Sequence, residues 1–207
     1  MPRPPNDSLD KPRRREASID EIMRQAAVAM TLFDPIAACA LLDISDAELG
    51  RLFKLALVRT AGLATALNLD LDSIRDESEP RRKASNANRQ SPTPASLVAR
   101  AKLIRESNFR EARGISQKAL RKDVSAGRIF NVDIDGEPYF PTFFLVEQLD
   151  QRALAKAARR LRELPGWCKW DFFTTPNAAL GNLSPLQALV YGAKKQVLRA
   201  AAAFVER

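Results

Sequence analysis

Apolar positions along the chain follow two periods: helical spacing over most of its length and strict alternation over one short stretch. Ile19, Ile22, Met23, Ala26, Ala27 and Met30 recur at three and four residues, the pattern of an amphipathic helix, and Ser18-Ile19-Asp20-Glu21 ahead of them has the form of a capping box. Pro35 permits a second helix start. Ser45-Asp46-Ala47-Glu48 is another capping box, leading into Leu49, Leu52, Phe53, Ala56 and Leu57. Residues 18–72 are therefore expected to form a helical subdomain, and residues 1–17, rich in Pro, Arg and Asp, a disordered basic tail. From 73 to 95 large apolar residues nearly vanish among Glu, Arg, Ser, Asn and Pro, the composition of a flexible linker.

After the linker the punctuation becomes dense. Ser96 can cap a helix running to about Glu106, a second helix over Asn108 to Arg113 ends at Gly114, and Ser116 caps a third, "SQKALRKDVSAG", closed by Gly127. The next residues, "RIFNVDIDGEPYF", alternate Phe130, Val132 and Ile134 against polar neighbours, and Asp135-Gly136 marks a two-residue type I′ hairpin turn. Two short helices joined at a glycine, the second one basic, followed by a hairpin, give residues 96–146 a winged helix-turn-helix-like organisation.

The remaining residues, 147–207, predict a small helical bundle. Gln148 to Leu164 places Leu149, Ala153, Leu154, Ala157, Ala158 and Leu161 on one side and stops before Pro165-Gly166. Thr175 before Pro176 starts a short turn that ends at Gly181, and Ser184-Pro185-Leu186-Gln187 combines a capping box with proline at the first helical position. A last helix carries Val197, Leu198, Ala201, Phe204 and Val205. The fold class expected is mainly α with one β-hairpin.

Charge adds a candidate function. The chain carries 33 Lys and Arg against 25 Asp and Glu, a net charge of +8, and the window from Leu97 to Arg128 alone holds nine basic residues against three acidic ones. Such clustering points to an anionic partner. If the third helix enters a DNA major groove, its N-terminal and outward residues Ser116, Gln117, Lys118, Arg121 and Lys122 reach base edges or phosphates, with Gln117 suited to adenine and Arg121 to guanine. Ala119, Leu120 and Val124 would pack inward. Arg110, Arg113 and Arg128 are the candidates for phosphate contacts, which orient a protein on DNA without specifying sequence.

Other chemistry is narrowed by what the sequence lacks. There is no histidine, so Ser-His-Asp and Cys-His catalysis and the helical HExxH zinc site are excluded. No GxGxxG or GxxxxGK[ST] occurs. Cys39 and Cys168 stand far apart, form no CxxC pair and read as buried apolar thiols. No catalytic residues, cofactor or metal are expected. With no 18-residue apolar run, and no apolar h-region after Met1-Pro2-Arg3-Pro4-Pro5, a cytoplasmic protein is expected.

The stretch "WDFFTTPNAALGNLSPLQALVYGAKKQVLRAAAAF" resembles the C-terminal toxin-binding domain of the Xre/MbcA/ParS-like antitoxins, whose recurring pattern is a Trp, then Pro-Asn, Leu-Gly, Ser-Pro-Leu and a Gly before the last helix. The preceding "GISQKALRKDVSAGRIFNVDIDGEPYFPTFF" is similar to a helix-turn-helix and wing that some members carry ahead of it, so the likeness spans residues 107–207. It implies an antitoxin of a type II toxin-antitoxin pair that neutralises an NAD-consuming, RES-type protein toxin. It also implies an autorepressor that binds double-stranded DNA at its own promoter as a homodimer. By the same resemblance Trp170, Pro176, Asn177, Leu180, Ser184, Pro185, Leu186 and Leu189 shape the toxin-binding domain, and Lys194, Lys195, Arg199 and Arg207 face the toxin. The sequence departs from the pattern at Asn182, where a second glycine is common, and residues 1–95 lie outside the likeness. Two alternatives stay open: a stand-alone DNA-binding transcriptional regulator without a toxin, and an enzyme that works with carboxylates or lysine.

Overall fold

Ala101 adopts a left-handed backbone, φ 50°, and this one residue redirects the start of the winged segment. It closes α4 (Pro94–Ala99) in a Schellman arrangement: the Lys102 N–H donates to Leu97 O at 2.9 Å and the Ala101 N–H to Val98 O at 3.0 Å. The cap at its other end is Thr93, whose hydroxyl accepts from the Ser96 N–H. The expected helix from Ser96 to Glu106 is thus replaced by a short helix and a strand, β1 (Leu103–Arg105), that sinks Leu103 and Ile104 into the core. The computed structural model describes residues 10–69 and 93–206, so most of the linker expected over 73–95 lies outside the described residues.

From β1 onward the order is α5 (Glu106–Arg113), α6 (Gln117–Ser125), β2 (Val132–Ile134) and β3 (Glu137–Pro141). The three strands form one antiparallel sheet in the order β1-β3-β2, with Ile104 opposite Phe140 and Val132 opposite Tyr139. The expected hairpin is present, and its turn residues Asp135 and Gly136 both have positive φ, 55° and 80°, as a type I′ turn demands. A helix, a strand, two helices and a hairpin closed by the first strand thus follow one another in this mainly helical fold with a small antiparallel sheet.

Next come α7 (Gln151–Arg160), α8 (Gly166–Thr174), α9 (Pro185–Val190) and α10 (Lys194–Val205). The α7 helix starts three residues later than expected because the Asp150 carboxylate takes the Arg152 and Ala153 N–H groups, 2.9 Å each, as its N-cap. Thr175-Pro176 starts no helix. A 3-10 turn over Ala178–Leu180 is capped by Asn177, whose Oδ1 accepts from the Ala179 N–H. The capping box at Ser184 is closed in both directions, with Ser184 Oγ accepting from the Gln187 N–H and Gln187 Oε1 from the Ser184 N–H. Asn182 takes φ 62°, a left-handed conformation that asparagine tolerates.

The chain divides into two units, Met1–Phe53 and Lys54–Arg207. In the first, α1 (Asp10–Phe33) begins within the expected tail, Pro12 falling in its first turn where the missing N–H costs nothing. Asp34 caps α2 (Pro35–Ala40), and α3 (Asp46–Ala66) follows Ser45. None of residues 19–53 is buried. Leu32, Phe33, Ile36 and Leu42 are all at least three-quarters exposed, and Cys39 is exposed, not a buried thiol.

Among the described residues, all the large buried side chains lie in the second unit. Its centre is aromatic: Phe143, fully buried, stacks or tilts against Phe130, Phe144, Trp170 and Phe173, with ring centroids 4.9 to 6.1 Å apart. Phe130 precedes the wing and Trp170 and Phe173 sit on α8, so the expected boundary at 146/147 is crossed by one continuous core. The second half of α3 joins the same core. A Cβ on Gly62 would lie 2.6 Å from Thr142 O, and the Gln187 side chain donates to Leu67 O. The expected division at residue 72 therefore does not separate the second half of α3 from the winged segment and the C-terminal helices.

Asp150 joins two ends of this unit, since its other carboxylate oxygen pairs with Lys194 at the start of α10. The Lys194 hydrogen bond, seconded by the Ala153 N–H, holds the Asp150 pKa down at about 2. A depressed carboxylate stabilises the fold fully above its unfolded pKa near 4 and ceases to do so as the pH falls towards 2. Asp150→Ala is therefore expected to cost about 1 to 2 kcal/mol at pH 7. Urea denaturation at pH 7, 4 and 2 should show the gap between variant and wild type closing across that acid interval.

Candidate nucleic-acid interface

The turn between α5 and α6 runs through Gly114, φ 65°. Ser116 then spends its hydroxyl on the Ala119 N–H, 3.2 Å away, so it builds the helix start and its own Oγ is taken. Leu120 is buried and Ala119 and Val124 are half-buried, as their spacing predicts. That orientation fixes the opposite face. Gln117, Lys118, Arg121 and Lys122 are all exposed, and the three cations form no ion pair among the described residues. Successive turns of one helix thus present a ridge of three uncompensated positive charges and one amide.

The three arginines expected to reach phosphates are placed differently. Arg110 lies 3.7 Å from Glu106 along α5, with its Nε buried and without a hydrogen-bond partner. Arg113 turns inward and donates from Nη1 to Phe144 O at 3.3 Å; burial pulls its pKa below the usual arginine value, against the opposing field of Asp123. Arg128 grips Asp123 Oδ1 through Nη2 at 2.6 Å and Nε at 2.8 Å. Arg105 stands over the Tyr139 ring, 5.7 Å from its centroid. Much of the window's charge excess is therefore tied up in holding the unit together, and what projects outward is the α6 ridge.

The hairpin is unsuited to a phosphate backbone. Its tip exposes Asp133, Asp135 and Glu137 and no cation, and Asp133 Oδ1 is fixed on the Gly136 N–H at 3.0 Å. Carboxylates facing phosphates would repel them. Its base is anchored instead: Trp167 Nε1 donates to Asp133 O at 3.1 Å, and a Cβ on Gly166 would fall 2.1 Å from Asn131 O.

A second basic face escaped the sequence reading. On α7 the buried residues Ala153, Leu154, Ala157 and Ala158 leave Arg152, Lys156 and Arg159 exposed at i, i+4 and i+7. The signal was legible, because every strongly polar position of "RALAKAARR" is basic. Arg160 is occupied, donating to Leu198 O at 3.0 Å.

The residues that the resemblance assigned to toxin binding separate into two groups. Trp170, Leu180, Ser184, Pro185, Leu186 and Leu189 are buried, Asn177 is half-buried as a cap and Pro176 is exposed. At the surface, Lys195 and Arg199 project from α10, whereas Lys194 is committed to Asp150. Arg207 lies outside the described residues. Tyr191, not singled out from sequence, is 69% exposed at the end of α9. A large exposed aromatic ring is the kind of anchor that protein interfaces favour.

No helix among the described residues is long and apolar enough to cross a membrane. Comparison with family models, with curated proteins and with solved structures gives no match to this chain.

Proposed function

We propose that the chain is a non-enzymatic DNA-binding regulator that lays the exposed face of α6 into the major groove of double-stranded DNA. The observation that carries this reading is the ridge of Lys118, Arg121 and Lys122, unpaired among the described residues, on a capped helix that follows a glycine turn in a winged helix-turn-helix order. Gln117 and Arg121 stand at the base-reading positions, and the acidic hairpin tip is held off the phosphates. Under the same proposal α9 and α10 dock a partner protein toxin, so that the protein acts as an antitoxin and represses its own promoter as a homodimer. The resemblance of residues 170–204 and the exposed Tyr191, Lys195 and Arg199 support that half of the reading.

A second reading, a regulator with no toxin, is favoured by one feature: α8, α9 and α10 complete the core shared with the winged segment, and so have a structural reason to exist without a partner. Co-expression with the neighbouring genes separates the two. The antitoxin reading expects one neighbour to be toxic alone and to co-purify with this chain. The double variant Tyr191→Ala, Lys195→Glu should lose that complex by at least about 2 kcal/mol of affinity and retain DNA binding. No toxic neighbour and no complex would leave the regulator alone.

A further inference from the structure

A half-open cleft of about 260 Å³ lies between the end of α6 and the start of α7, walled by Arg113, Asp123, Arg128, Phe144, Gln151 and Arg152. Gln151 is fixed in the wall by its Nε2 donating to Val146 O at 2.7 Å.

The cleft holds three guanidinium groups and one carboxylate. Asp123 is engaged by Arg128, at 2.6 and 2.8 Å. Arg113 is half-buried, and its hydrogen bond goes to a neutral acceptor, the Phe144 carbonyl. Arg152 uses only its backbone N–H, on Asp150, and its side chain has no acidic partner among the described residues. Three guanidinium groups against one carboxylate leave the cleft with an excess of positive charge, and the half-burial of Arg113 beside Phe144 strengthens an ionic contact made there. A half-buried guanidinium whose hydrogen bond goes to a neutral carbonyl gains from an anion, and planar N–H forks fit tetrahedral oxyanions in bidentate fashion.

We propose that this cleft is a binding site for a phosphate group, held by Arg113, Arg128 and Arg152. The site does not depend on α6 reading DNA. Its phosphate comes either from the backbone of a bound duplex or from a free phosphorylated small molecule, and the two sources are separable.

The test uses the full chain, with inorganic phosphate as probe and chloride at matched ionic strength as control. Phosphate at ten times its dissociation constant should raise the unfolding midpoint by about 3 to 6 °C over chloride. Arg152→Gln, at an exposed position, should abolish that rise, and Arg24→Gln, in the other unit, should leave it intact. If the phosphate is a duplex's, Arg152→Gln also flattens the slope of log affinity against log salt by about 0.9, and inorganic phosphate competes with a duplex oligonucleotide. If it belongs to a free ligand, duplex affinity and slope stay unchanged. A phosphate shift equal to that of chloride, or one that survives in Arg152→Gln, overturns the proposal. The chain with Lys118, Arg121 and Lys122 replaced by alanine keeps the phosphate shift even if it shows that α6 does not bind DNA.

Discussion

Replacing Lys118, Arg121 and Lys122 together by alanine is expected to weaken duplex-DNA binding by about 10² to 10³-fold in 0.1 M salt, and to reduce the slope of log affinity against log salt by roughly 1.8. The figure combines two effects: each lysine that neutralises a phosphate frees about 0.9 condensed ions, so the pair amounts to nearly two decades at 0.1 M, and losing the Arg121 base contact, worth about 1 kcal/mol or more, supplies the rest. The fold should not suffer. All three side chains are exposed, the inward Leu120 and the Ser116 cap are untouched, and alanine is the best helix former. Fluorescence anisotropy across a salt series, with a thermal melt beside it, reads both quantities. A fall in affinity with an unchanged slope would mean that these residues do not meet phosphates, and an unchanged affinity would move the interface to the Arg152, Lys156 and Arg159 face of α7. Arg121→Lys sharpens the result. It keeps the charge and the slope, but loses preference for a guanine if Arg121 binds O6 and N7 in bidentate fashion.

Where a side chain itself supplies the stop or start signal, the sequence was readable. Asp135-Gly136 gives its turn by backbone preference, Ser116 and Ser184 give their caps by hydroxyl geometry, and the inward residues of α6 and α7 follow from spacing alone. Where the decisive event was a long-range contact, it was not. Ala101 carries no sign that it will adopt a left-handed backbone, and Leu103 and Ile104 continue a helical rhythm, so only their pairing with β3 explains the strand. Counting charge located the basic window but could not tell a cation that projects from one that is turned inward. Arg113 and Arg128 look like Lys118 and Arg121 in sequence; the carbonyl of Phe144 and the carboxylate of Asp123 make the difference. The same blindness hid the α7 face, because attention to its apolar side left its polar side uncounted. For the first unit, the helical spacing of α1 is present but burial does not follow from it, since none of residues 19–53 is buried.

Phe143→Ala is expected to destabilise the second unit by about 3 to 5 kcal/mol, a large share of the roughly 5 to 15 kcal/mol that holds a domain folded. The ring is fully buried and meets four others, one of them ahead of the wing, one its neighbour Phe144 on a 3-10 turn over Thr142–Leu145, and two on α8. Truncation removes the transfer energy of the ring and leaves a cavity that rigid aromatic neighbours cannot close. Because those neighbours belong to both the winged segment and the C-terminal helices, the loss cannot be confined to either. The unit should unfold in a single transition displaced downward by about 6 to 20 °C. DNA binding and any binding by α9 and α10 should fail together as temperature rises, whereas the α6 triple variant loses the first and keeps the second. Differential scanning calorimetry decides the matter. One displaced peak means that the two binding surfaces share a single cooperative core, and a native-like peak beside a destabilised one would mean that the winged segment and the C-terminal helices are independent domains.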